Sequence, residues 1–113
     1  MNSLAHKLPG IARIRERFLE MHDERHDALE DALTLISSGE DCQQALLTAR
    51  DILHKIAGSA GSLGFADLGE AAGKAETVVQ EHIDTNFRDQ TPVTEELDRF
   101  LELSITYCST TAE

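Results

Sequence analysis

Chemistry in this chain centres on His54, with Gly58 one helical turn after it and Gly61 two turns after it. A neutral imidazole nitrogen is a nucleophile near pH 7 and can take up a phosphoryl group. The incoming group must arrive in line, so the nitrogen needs access more than burial. Each glycine inside a helix costs about 1 kcal/mol relative to alanine. Two of them beside one histidine leave a bare strip of backbone that lets another protein come close. Gln43, Leu47 and Arg50 fall on the same helical face. Leu47 adds an apolar contact, while Arg50 at i−4 and Lys55 at i+1 add positive charge for a phosphoryl group. The second ring nitrogen needs an acceptor that fixes its tautomer, and Glu76 is the candidate. The expected site is therefore His54 as phosphoryl acceptor, supported by Arg50, Lys55, Gly58, Gly61 and Glu76. Gln43, Leu47, Arg50, Gly58 and Gly61 form the expected docking surface for a partner.

The elements that must position these residues are helices. On a wheel of about 100° per residue with Ala45 at zero, Ala49, Ile52, Ile56, Ala60 and Leu63 lie within about 60°, and His54 lies at about 180°. The spacing predicts a helix from about Cys42 to Leu63, with Asp41 as N-cap and Gln44 completing a capping box. A first helix is predicted from about Ile11 to Ile36, its core stripe made of Ile11, Ile14, Phe18, Met21, Ala28, Ala32 and Leu35, with Arg25 as a polar interruption and Gly39 beyond its end. A third runs from about Ala66 to Ile83. The fourth starts at Thr91-Pro92 and uses Val93, Leu97, Phe100, Leu101, Ser104 and Tyr107 or Cys108. No segment alternates like a strand. Short breaks between long amphipathic helices predict one all-α domain over 1–113, an antiparallel up-down four-helix bundle. Leu4 and Leu8 could add a short extra N-terminal helical turn.

The run His54-Lys55-Ile56-Ala57-Gly58-Ser59-Ala60-Gly61-Ser62-Leu63-Gly64-Phe65 resembles the signature of histidine-containing phosphotransfer (HPt) domains, through His54, Ile56, Gly58 and Gly64. The similarity continues through Leu68 and the alanine-rich third helix to about Glu76, and is strongest to the HPt domains of bacterial hybrid sensor kinases. The resemblance implies a phosphorelay intermediate in two-component signal transduction, with phosphohistidine formed at His54. It implies exchange with aspartates of response-regulator receiver domains, which bring Mg2+, and a hybrid sensor histidine kinase as a further partner. It implies a stoichiometric carrier rather than an enzyme, without ATP binding or kinase activity and with no cofactor of its own. No glycine-rich nucleotide loop is found in the chain. Two positions depart from the family pattern. Ala57 stands where lysine is usual, and Lys55 and Lys74 are nearby cations at other positions. Glu76 lies near a place where glutamine is frequent; a carboxylate there attracts a protonated imidazole and repels an incoming phosphoryl group.

The 113 residues carry a net charge of −11, from 21 acidic and 10 basic side chains. That excess supplies no basic patch for nucleic acid or for an anionic membrane surface, and favours protein partners and a monomer. No stretch approaches the roughly 18 apolar residues of a membrane span, and Met1-Asn2-Ser3-Leu4-Ala5-His6 does not begin a signal peptide. A cytoplasmic location is expected. Cys42 and Cys108 are read as ordinary thiols. His22 and His26 have chelating i, i+4 spacing, extended by Glu30, but Asp23 stands where an HExxH motif needs glutamate. That row is expected to be a solvated face, with no metal bound, and a metal-dependent hydrolase is the remote reading. Lys7, Arg13, Arg15 and Arg17 form a small basic cluster, also read as a solvated face. The sequence by itself suggests no role for His6 or His82. The alternative function is a phosphorylation-independent helical adaptor, for which Ala57 is the sequence hint.

Overall fold

The computed structural model describes residues 9–85 and 89–108. Leu4, Leu8, His6 and Lys7, and with them the extra N-terminal turn, lie outside the described residues. Four α-helices follow one another: α1 (Pro9–Ser38), α2 (Cys42–Ser59), α3 (Ala66–Thr85) and α4 (Thr91–Ser104). A 3-10 turn, Gly61–Leu63, extends α2, and another, Ile105–Tyr107, extends α4. Each helix packs on two neighbours in the cyclic order α1, α2, α3, α4, and the diagonal pairs stay apart among the described residues. This is the all-α four-helix bundle that the periodicity predicts.

Two glycines set the turns. Glu40 N–H bonds to Leu35 C=O and Gly39 N–H to Ile36 C=O, closing α1 with a Schellman motif around a left-handed Gly39. The same pattern recurs after α2, where Phe65 N–H reaches Ala60 C=O and Gly64 N–H reaches Gly61 C=O, with Gly64 at φ 93°. A side chain at either position would be strained. The capping box at α2 does not form: Asp41 is itself left-handed, at φ 48°, and its carboxylate makes no cap hydrogen bond. Asp41 C=O accepts the first bond of the helix, from Ala45 N–H.

The core is built from Phe18, Leu29 and Ile36 of α1, Leu46, Leu53 and Ile56 of α2, Leu68 and Val79 of α3, and Val93, Leu97 and Phe100 of α4. Leu53 is fully buried, so Leu53→Ala should cost about 2–5 kcal/mol. Thermal unfolding followed by circular dichroism should show a fall in Tm of more than about 5 °C. A smaller fall would mean that the seam beneath α2 is looser than its burial implies.

The predicted stripe of α1 holds in part: Phe18 and Ala32 are buried and Ala28 and Leu35 half-buried, but its first half departs from the buried face. Ile11, Ile14 and Met21 are exposed, and His22 and His26 occupy the inward positions between Phe18 and Leu29. The solvated-face reading of these histidines is therefore corrected: they are 0% and 2% exposed. Polar rings are tolerated there because Ser104 of α4 meets them. Its Oγ lies 2.8 Å from His22 Nε2 and 2.8 Å from His26 Nδ1. Burial pushes the His22 pKa down, so its ring is held toward the neutral form. Burial, with Asp23, Asp27 and Glu30 nearby, pushes the Cys108 thiol up to about 11. Arg13, Arg15 and Arg17 are exposed as expected, with Arg15 also over the Phe65 ring at 5.2 Å. His82 is buried.

Candidate functional site

His54 sits on α2 between the buried Leu53 and Ile56, so the helix that anchors the core turns the imidazole outward. Its side chain is 75% exposed. The ring is nevertheless held, because Nδ1 lies 2.8 Å from Glu76 Oε2 across the α2–α3 seam. An ionised carboxylate only accepts, so Nδ1 carries the proton and donates it to Glu76. In the neutral ring the lone pair then belongs to Nε2, the nitrogen not held by Glu76. Sequence reasoning named both residues, and the structure brings them together.

One turn back along α2, Arg50 faces Gln80, one turn further along α3. This antiparallel stepping sets the register of the seam. Arg50 Nη1 donates to Gln80 Oε1 at 3.3 Å, while Nε and Nη2 donate to Asp51 Oδ1 at 3.3 and 3.2 Å. Gln80 Nε2 in turn donates to Asp84 Oδ1 at 2.9 Å. Arg50 is thus braced by Gln80 of α3 and by Asp51 of its own helix. Exposed pairs of this kind are worth about 0–1 kcal/mol, so the guanidinium can be redirected at little cost. Asp51 and Gln80 were missed from the sequence. Gln80 was legible, one turn after Glu76 and opposite the position one turn before His54.

Gly58 and Gly61 are exposed, and a Cβ built on either meets nothing within 4 Å. Neither glycine is therefore demanded by packing. Gly69 differs, because its Cβ would stand 3.2 Å from the Gly61 nitrogen where α3 passes close to the α2 turn. Gln43 is exposed and Leu47 half-buried, so the strip from Gln43 to Gly61 forms one face running about 27 Å along the helix. At its Gln43 end lies a cavity of about 240 Å³, lined on α2 by Cys42, Gln43, Leu46 and Leu47 and closed by His82, Ile83 and Gln90. Lys55 and Lys74 are exposed, and Ala57 is half-buried against the core. No cation therefore projects from position 57.

No helix among the described residues is long and apolar enough to cross a membrane. A family model described as "Hpt domain" matches residues 13–104. No curated protein and no solved structure matches the chain.

Proposed function

The chain belongs to the Hpt domain family, which places it in the phosphotransfer chemistry of two-component signalling, and from that premise we propose that it is a phosphorelay intermediate that carries a phosphoryl group on His54. The observation that carries this reading is the Glu76–His54 pair, which leaves Nε2 of an exposed, oriented ring as the nucleophile. In the transfer, Nε2 attacks the phosphorus of a receiver-domain aspartyl phosphate. The N–P bond forms as the P–O bond to aspartate breaks, and aspartate leaves as a carboxylate. The receiver supplies the Mg2+ that neutralises the phosphoryl oxygens. The proton stays on Nδ1, so the phosphorylated ring is cationic and Glu76 stands beside that charge. Glu76 lies behind the ring, away from the arriving group, which supports a carboxylate where the family frequently has glutamine.

The partners in this reading are response-regulator receiver domains, with a hybrid sensor histidine kinase upstream, and the protein acts as a cytoplasmic monomer. The docking surface is Gln43, Leu47, Arg50, Gly58 and Gly61, with Lys55 contributing charge at its edge. The test is incubation with a phosphorylated receiver domain. Acid-labile label should move to the chain and on to a second receiver, and absence of transfer from every receiver of the same genome would favour the adaptor reading.

Glu76 carries its own prediction. Glu76→Gln keeps an acceptor for Nδ1–H, so its uptake rate should stay within about tenfold of the parent. Glu76→Ala removes the acceptor and frees the tautomer, and should slow uptake by roughly 10–100-fold, by analogy with groups that orient an imidazole at a metal. Rapid-quench transfer kinetics would check this, and equal rates for both variants would remove Glu76 from the mechanism.

A further inference from the structure

On the opposite seam of the bundle, between α1 and α4, we propose that His22, His26 and Cys108 form a binding site for a zinc-class divalent cation. One ligating atom from each of the three lies within 4.8 Å of the other two. Both rings converge on the Ser104 hydroxyl, and Cys108 Sγ points at the carbonyl of the same residue, 3.6 Å away. The histidines sit one turn apart on α1, and the 3-10 turn Ile105–Tyr107 folds the thiol back toward them.

Hydrogen bonding leaves ligand capacity unused here. His22 Nδ1 and His26 Nε2, the ring nitrogens not bonded to Ser104, are buried and have no hydrogen-bond partner among the described residues. The nearest charged atom to the latter is Glu30 Oε2, at 3.3 Å. Buried polar atoms without partners are uncommon and costly. The electrostatic surroundings also suit a cation, since Asp23, Asp27 and Glu30 all act on the thiol. Arg25, the nearby positive group, is turned over the Phe18 ring at 5.9 Å.

The donor set selects the ion. Two imidazoles and a thiolate fit Zn2+ or Co2+ in tetrahedral geometry, with Asp23, Glu30 or water as the fourth ligand. Mg2+ and Ca2+ require oxygen ligands and do not fit. Binding breaks the Cys108 S–H bond, forms a metal–sulfur bond and releases the proton to solvent, while both imidazoles bind as neutral rings. No redox change occurs. The bound ion would clip the end of α4 to α1, remote from His54.

Chelator-stripped protein should be titrated with Co2+ and then with Zn2+. A thiolate-to-cobalt charge-transfer band should grow to saturation at one ion per chain, and Zn2+ but not Mg2+ should bleach it. Cys108→Ser, shown to be folded by circular dichroism, should lose the band and bind Zn2+ at least about tenfold more weakly. His54→Gln should keep the band, which separates this site from the phosphoryl acceptor. No band in folded parent protein at saturating Co2+, or undiminished Zn2+ binding by Cys108→Ser, overturns the proposal.

Discussion

His54→Gln should abolish acid-labile phosphoryl uptake while leaving the bundle as stable as before. The two halves of this result rest on different links. Glutamine has hydrogen-bonding groups but no nucleophilic nitrogen, because the amide lone pair is delocalised into the carbonyl. Uptake from a phosphorylated receiver should therefore fall to background. Stability should barely move, because the parent side chain is 75% exposed and, among the described residues, its hydrogen-bond partner is Glu76. Surface substitutions of this kind stay within about 0.5 kcal/mol, so the Tm should shift by no more than a few degrees. Acid-labile label on the glutamine variant would place the acceptor elsewhere, and the exposed orientation of His54 would then need another explanation. Unfolding of the variant would instead show that the Glu76 contact holds the α2–α3 seam.

The sequence made α2, α4 and the second half of α1 legible and misplaced the face of α1 around its first turns and its two histidines, for reasons that can be named. In α4 the inward positions Val93, Leu97, Phe100 and Leu101 are all apolar, so hydropathy reports burial directly. Glu96 escaped notice because its burial depends on Arg99, 2.9 Å away, and not on its own type. In α1 the inward positions include His22 and His26, while Ile11 and Ile14 lie on turns before Phe18, the first buried residue of the helix. Apolarity and burial part company there, and a periodicity argument follows apolarity. Burial of the two histidines follows from Ser104, 78 residues from His26 along the chain, and no local pattern signals such a contact. His54 was readable for the converse reason. Its neighbours on α2 are so regularly apolar that the one direction left for it is outward, and its partner lies on the next helix.

Gly58→Gln should separate docking from chemistry, and it should do so with a gain in stability. A Cβ at this position meets nothing, and the residue lies inside α2. Replacing glycine by a better helix former there should stabilise the chain by up to about 1 kcal/mol. Glutamine nonetheless projects from the strip over which the receiver must approach His54. A misplacement of about 1 Å in a transfer geometry can cost about a hundredfold, so the rate of uptake from a phosphorylated receiver should fall at least that far. A small donor such as phosphoramidate needs no docking surface and should still label the variant at His54. Gly10→Gln provides the control, since that glycine is equally open and lies at the start of α1. It should leave receiver transfer unchanged. If Gly58→Gln accepted phosphate from the receiver at the parent rate, the docking strip would be wrong and His54 could still be the carrier. If it lost labelling by phosphoramidate as well, the added side chain would be acting on the imidazole itself. A more stable protein, chemically competent and blind to its receiver, is the combination that only a docking role for the bare strip produces.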